Sequence, residues 1–355
     1  MNDIRIELST NPKEKPADES KLSFGEIFTD HMFCMNYTAG KGWYDARIIP
    51  YGPFQLDPSA MVFHYGQAVF DGLKAYRGND GKARMFRPWD NFARMNQSAR
   101  RLCIPEIDEE FALKALKELL EVEKDWIPSA QDTSLYIRPT IIATDPFLGV
   151  RASNTYLFYI ILSPVGPYYP EGLKPVKIYV EDYYARSVKG GTGFAKTAGN
   201  YAASLLAGEL AKEKGYSQVL WLDGCRKEYV EEVGAMNIFF KLKGELVTPP
   251  LEGTILGGIT RDSVIKLAGK MGIPVHERAI TIQEVYEAHA DGTLEEVFGT
   301  GTAAVISAVG ELNWKGNRIL INKGEMGPLS QKLYDTLTGI QLGHLEDPFG
   351  WLTVL

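Results

Sequence analysis

Lys196 sits in "GGTGFAKTAGNYAASL", Gly190 to Leu205, where small residues flank a single lysine ahead of a helix-like run. Glycines let backbone or ligand come close to that amine. Two chemistries use a lysine in such a setting. A phosphate-cradling loop reaches a nucleotide with it, or a neutral amine forms a Schiff base with a carbonyl cofactor. The bland alternative is a glycine-rich turn carrying a solvated lysine, the usual state of this residue type.

The nucleotide reading rests on G-x-x-x-x-A-K-T, one residue from the phosphate-loop pattern, and on "QVLWLD", whose Asp223 could hold magnesium. Ala195 is its defect, because the glycine normally found there adopts a conformation that Cβ disfavours. Such a loop is also expected early in its domain, and half the chain precedes this one. The Schiff-base reading makes other demands. Pyridoxal phosphate needs a lysine, an acid near its pyridine nitrogen, a hydroxyl near its phenolate oxygen and an anion site for its phosphate.

Four stretches in order, "AVFDGLKAYR" (Ala68 to Arg77), the lysine motif, "EYVEEVGAMNIFF" (Glu228 to Phe240) and "FGTGTAAVIS" (Phe298 to Ser307), resemble the signatures of branched-chain amino-acid aminotransferases. These are pyridoxal 5'-phosphate enzymes of fold type IV, alongside D-amino-acid aminotransferase and aminodeoxychorismate lyase. The resemblance runs from about Phe28 to the C-terminus. It implies an α+β, two-domain fold with a small N-terminal α/β domain and a larger barrel-like cofactor domain. It also implies a homodimer and reversible amino transfer between leucine, isoleucine or valine and 2-oxoglutarate. The two fold relatives share the cofactor residues and stay open as alternatives.

By this resemblance Lys196 is the Schiff-base lysine and proton shuttle, Glu232 pairs with the pyridine nitrogen, and Tyr201 donates to the phenolate oxygen. Strand alternation places Glu231 and Glu232 on opposite faces, so one of them is expected inside and Glu231 at the surface. The phosphate falls to Arg94, the amides of Ile259 and Thr260, and Thr302. Two glycines opening a helix at "LGGITRDSV" suit an anion on physical grounds as well. Arg94 lies off the apolar stripe of its helix, so a solvated arginine is its alternative. Arg186 is a further cofactor-side candidate. The implied substrate pocket comprises Phe28, Tyr65, Phe70, Tyr136, Arg138 and Tyr168, with the amides of Ala235 and Ala303 for the α-carboxylate. Leu148 and Val150 match a loop that in the family reaches a neighbouring subunit's site. Core packing is the alternative for the aromatic residues, and Lys74, which belongs to the same motif, has a structural charge as its alternative. Ala304 and Ser307 stand where mammalian relatives carry a CxxC pair, which removes that redox switch.

Several elements must position these residues. "HYGQAVFDGLKAYRGNDGKARMFR" reads as two strands around a Gly78–Gly81 turn, and "PWDNFARMNQSARRLCI" as a helix capped by Asp90. "DEEFALKALKELLEV" is a second helix, and "SLYIRPTIIAT" a strand with Tyr136 and Arg138 on one face. Later strands are "TYLFYIIL", "VKIYVEDYY", "QVLWLD", "EYVEEVGAMNIFFKL" and "EEVFGT". Helices are expected near Ala198–Lys214, Thr260–Met271, Ile282–Ala290 and Leu329–Leu342. Pro164, Pro167, Pro170 and Pro175 mark a linker, giving domains at 1–163 and 176–355 around residues 164–175.

Composition sets outer bounds. The chain has 355 residues, a hydrophobic share of 45% and a formal charge of -7. That balance speaks against nucleic acid or an anionic membrane as partner. The polar N-terminus and the absence of a long apolar run predict a cytoplasmic protein with no membrane span. Cys34, Cys103 and Cys225 form no CxxC pattern, so no metal site is expected.

Overall fold

The structure, a computed structural model, describes residues 3–167 and 173–355. Tyr168 and part of the expected linker lie outside the described residues. The chain forms two compact units. The first comprises Met1–Tyr168, Ala195–Ala198 and Gly339–Leu355, and the second comprises Tyr169–Phe194 and Gly199–Thr338. The lysine peptide therefore belongs to the first unit, although its sequence lies beyond the proline-rich stretch.

A mixed sheet forms the first unit, in the order Arg5–Ile6, Gly42–Pro50, His31–Thr38, Thr155–Val165, Ser134–Ala143, Leu73–Arg77, Ala83–Phe86 and Leu352–Val354. The short strand Ala68–Phe70 also pairs with Ser134–Ala143. Helices Pro88–Arg101 and Glu109–Val122 cover one face. Phe92, Met95, Ala99, Leu116 and Leu119 are buried there in one core with Leu73, Ala75, Leu135, Ile137, Phe158 and Ile160. Burying apolar area at roughly 25 cal/mol per Å² fixes which face turns inward. Period-two alternation then sends Lys74, Tyr136, Arg138 and Ser163 to the opposite face.

Two local expectations change. The helix expected after Asp90 starts at Pro88, because proline has no N–H to satisfy and fits the first helical position. Asp90 lies inside the first turn and accepts from Arg87 Nε at 2.6 Å. The run from His64 to Arg77 is not one strand. His64 and Tyr65 close the short helix Met61–Tyr65, ended by Gly66 at φ 59°, and Asp71 turns inward between Ala68–Phe70 and Leu73–Arg77.

Six strands close on themselves in the second unit. Their order is Val230–Val233, Gln218–Leu222, Val176–Glu181, Val305–Trp314, Leu294–Gly301 and Met236–Leu242, with the last pairing back to the first. Closure leaves those strands no free edge. The single strand expected through Glu228–Leu242 is a hairpin instead, because Gly234 adopts φ 56° and turns the chain at Gly234–Ala235. Helices Ala198–Glu213, Ile259–Lys270, Ile282–Ala290 and Pro328–Gln341 lie within one residue of their expected bounds. No helix among the described residues is long and apolar enough to cross a membrane. Nor do the described residues contain a group of three or more His, Cys, Asp or Glu side chains that could hold a metal ion.

Glu296 joins a barrel strand to the last of these helices. Its carboxylate accepts from the N–H groups of Leu329 and Ser330, at 3.0 and 2.8 Å, and from the Ser330 hydroxyl at 2.7 Å. A Cβ on Gly327 would lie 2.0 Å from Glu296 Oε2, so glycine is what permits this approach. Glu296→Ala strips the helix start of that acceptor. It is expected to cost about 2–4 kcal/mol, seen as a lower urea midpoint at unchanged slope.

Candidate active site

Lys196 is pinned by its backbone. Its N–H donates to Ser98 Oγ at 2.9 Å, and its carbonyl accepts from the Phe70 N–H at 3.1 Å. Thr197 forms an antiparallel bridge with Val69, and its hydroxyl donates to the Ala68 carbonyl at 2.8 Å. The Lys196 ammonium lies 5.2 Å from the centre of the Phe70 ring. These contacts weigh against the phosphate-loop reading, since the threonine hydroxyl that would bind magnesium is spent on the backbone. Asp223 is spent too, accepting from the N–H groups of Cys225, Arg226, Glu228 and Tyr229.

Arg94 is buried, not solvated. It grips Asp71 with two nitrogens, Nε to Oδ2 at 2.9 Å and Nη2 to Oδ1 at 2.7 Å. Asp71 also accepts from Asn91 Nδ2 and the Gly72 N–H. Burial alone would raise the Asp71 carboxyl, but Arg94 and these hydrogen bonds hold it below the usual carboxylate range. Asp71, Asn91 and Ser98 were missed in the sequence. Asp71 stands inside a quoted motif, and only its inward turn reveals its task.

On the sheet face away from the helices, Arg138 Nη2 donates to the Tyr136 hydroxyl at 3.0 Å. The guanidinium lies 4.7 Å from the centre of the Phe70 ring and 5.2 Å from that of Tyr136. Among the described residues no carboxylate pairs with Arg138, and its buried Nε has no hydrogen-bond partner. A Cβ on Gly72 would come within 2.0 Å of the Tyr136 hydroxyl, so only glycine lets that ring lie where it does. Phe24 packs edge-on against Tyr136, and Phe28 stacks on Tyr51. Tyr65 donates its hydroxyl to the Leu148 carbonyl, and Leu148 and Val150 are exposed on that loop.

In the second unit, Glu232 is buried and its Oε2 lies 3.0 Å from Arg186 Nε. Its Oε1 accepts from the Leu256 N–H at 2.8 Å. Arg186 in turn donates to the carbonyls of Thr254 and Gly193. Glu231 is buried as well, which corrects the surface placement expected for it, and burial pushes its carboxyl up. It borders a separate cavity of about 310 Å³ lined largely by Val188, Val230, Pro249 and Ile255. Ile259 and Thr260 begin the helix Ile259–Lys270, whose start at Gly258 carries no side-chain cap. Thr302 and Ala303 lie in the tight turn between strands Leu294–Gly301 and Val305–Trp314, which Val305 leaves at φ 59°. That angle strains a β-branched residue. Tyr201 is half-buried in the first turn of Ala198–Glu213, and Ala235 is exposed at its hairpin turn.

Residues 68–312 match the family model of amino-transferase class IV. The chain belongs to this family. It is 64% identical over 350 residues to branched-chain-amino-acid aminotransferase 2 of Bacillus subtilis, covering 99% of this chain and 96% of that one. It is 60% identical to branched-chain-amino-acid transaminase 1 of the same organism, with 98% of both chains covered. Among solved structures, the branched-chain amino acid aminotransferase of Escherichia coli superposes with a TM-score of 0.76 at 27% identity, over 91% of this chain and 98% of that one. A further branched-chain amino acid aminotransferase, solved in complex with N-(5'-phosphopyridoxyl)-L-glutamate, gives 0.73 at 28% identity, over 90% and 97%. This class IV aminotransferase is a transaminase dependent on pyridoxal phosphate.

The donor set fits that cofactor: a buried carboxylate fixed by an arginine and an amide, and a helix start whose Gly258 makes no side-chain cap hydrogen bond. Removing the Asp71 charge tests the arginine's support. Asp71→Ala leaves a buried guanidinium facing an apolar gap, an expected loss of about 3–5 kcal/mol in denaturant unfolding. Because its folded pKa is depressed, the Asp71 contribution is present above about pH 3.9 and fades as acid titrates the folded carboxyl. Asp71→Asn is expected to flatten that part of the acid-stability profile.

Proposed function

We propose that this aminotransferase moves an amino group reversibly between L-leucine, L-isoleucine or L-valine and 2-oxoglutarate, as a homodimer in the cytoplasm. One observation carries the substrate pair. The face bearing Arg138 offers apolar aromatic rings, and on them a half-buried cation that no carboxylate among the described residues neutralises. Aromatic walls suit a branched alkyl chain, and the orphan guanidinium suits the carboxylate of the second substrate. The substrates named for the Bacillus subtilis relatives support the first half of the pair.

Bound pyridoxal phosphate supplies a carbonyl for the substrate amine and a ring that draws off the electrons left at the α-carbon. Lys196 is the residue that would hold it covalently, and its amine would carry the α-proton. The Phe70 and Ser98 backbone contacts keep that amine at one place. Glu232, held by Arg186 and the Leu256 amide, would pair with the cationic ring nitrogen. Arg94 and the amides of Ile259 and Thr260, with Thr302, would receive the phosphate, and Tyr201 the phenolate oxygen. The amides of Ala235 and Ala303 would take the substrate α-carboxylate, and Phe28, Tyr65 and Phe70 would offer apolar surface to its side chain.

Exposed apolar residues support the dimer. Val150 is 86% exposed and Leu148 63%, beside exposed Phe147 and Phe63, a patch of the kind that marks a protein contact. Three free cysteines suit a reducing compartment. The purified protein is expected to show a visible cofactor band that bleaches with L-leucine, not with D-alanine, and returns with 2-oxoglutarate. Borohydride should fix the cofactor to Lys196, and Lys196→Ala should cut kcat by about a thousandfold or more. Full turnover in Lys196→Ala would overturn the assignment.

A further inference from the structure

Phe28 lies in a stretch, residues 22–30, that forms neither helix nor strand, so no regular ladder of hydrogen bonds sets its place. Thr29 gives one tie, its N–H donating to the Leu162 carbonyl at 3.1 Å. Further ties come from the N-terminal arm, residues 7–18, which is irregular as well. Lys13 Nζ donates to the carbonyls of Phe28 and Thr29 at 3.0 and 2.8 Å, and it lies 4.3 Å from the centre of the Tyr51 ring. That ring stacks on Phe28, with centroids 5.1 Å apart and planes 6° from parallel. One ammonium therefore grips the first residue by its carbonyl and the second by its ring face.

The arm that carries Lys13 is itself latched. The Lys13 N–H donates to Asp30 Oδ1 at 2.6 Å, and the Ser9 N–H donates to His31 Nε2 at 2.7 Å. Asp30 is fixed in turn, accepting from the Trp126 indole at 2.8 Å and donating its own N–H to Glu123 Oε2 at 3.1 Å. Its carbonyl accepts from the Tyr51 N–H at 2.8 Å, which joins the second ring to the same network. Burial lowers the Lys13 pKa while Asp30 and Glu123 pull it up, so the ammonium is partly withdrawn from water. Holding a lysine in one geometry costs side-chain entropy, which a lysine serving only solubility has no reason to lose. Tyr51 and Ile161 both pack against the cluster of Met32, Cys34 and Ile142, and Ile161 stands opposite Arg138. The stacked rings thus belong to the sheet face that bears Arg138.

We propose that Lys13 is a positioning residue for the substrate wall: its ammonium sets the Phe28–Tyr51 stack, and through that stack the affinity for a branched alkyl side chain. This rests on the substrate reading given above and goes beyond it by giving the N-terminal arm a part in specificity. An alkyl chain is held only by the surface it packs against, so it feels the place of a ring, whereas a carboxylate has a guanidinium to hold it as well.

Calorimetry on the holoenzyme separates the two with unreactive probes, 4-methylvalerate for the leucine side chain and glutarate for the dicarboxylate. Lys13→Met is expected to raise Kd for 4-methylvalerate about threefold to tenfold, and Kd for glutarate less than about twofold. KM for L-leucine should rise in step, with kcat changed less than about twofold. Lys13→Arg, which keeps a cation and its donors, should restore most of the affinity. Tyr51→Leu should weaken 4-methylvalerate as well, and the double variant should lose less than the two single losses combined, since both act through Phe28. Equal weakening of both probes, or additive losses in the double variant, would overturn the proposal. So would a lower urea midpoint in Lys13→Met with both Kd values unmoved, which would leave the lysine a structural tie. Wild-type enzyme that failed to transfer the amino group of L-leucine to 2-oxoglutarate would sink the substrate reading instead.

Discussion

Phe70 donates its N–H to the Lys196 carbonyl, and Lys196 donates its own N–H to Ser98. These bonds, with the Val69–Thr197 bridge, hold by its backbone the lysine whose amine is proposed to react. A lysine side chain has four rotatable bonds, so its amine can be placed well only if its origin does not move. Ser98 serves twice, since it also donates to the Arg94 carbonyl one turn earlier in the same helix. The placement of the amine and the placement of Arg94 are thus set by one helix, whose apolar face is fixed by Phe92, Met95 and Ala99 in the core. Substitution in that core reaches the chemistry through geometry, without touching a reacting group.

Buried charge is managed differently at each point. Arg94 is matched by Asp71, and Glu232 by Arg186, each pair with further hydrogen bonds around it. Removing one member of such a pair strands the other in low dielectric. Arg138 has no carboxylate of this kind among the described residues, and two aromatic faces hold it instead.

The sequence carried much of this, because helices Ile282–Ala290 and Pro328–Gln341 are amphipathic and Thr281 caps the first of them. Gly257 and Gly258 announce the start at Ile259, and alternation in Ser134–Ala143 puts Tyr136 and Arg138 together. What it hid depended on tertiary closure. Nothing local shows that Asp71 breaks a strand to reach Arg94, or that Gly234 folds an apolar run back on itself. Glu231 looked like the solvent-facing partner of Glu232. Closure of the sheet buries both sides of that strand, so the alternation that predicts faces no longer predicts exposure. The lysine peptide is the largest such case, since its place in the first unit follows from pairing with residues far away in sequence.

Substrate choice poses a conflict that a single rigid pocket cannot resolve by size alone. An alkyl chain loses free energy beside a permanent, desolvated cation, while a carboxylate is costly to bury without one. Aromatic rings soften the first problem, because their faces attract a guanidinium yet present carbon to an alkyl group. That explains why Arg138 is stacked and not paired. Gly72 completes the arrangement, since any side chain there would displace the Tyr136 hydroxyl that Arg138 holds. On the proposed reading the two substrates can therefore share one face, where the rings meet either side chain and Arg138 meets a carboxylate.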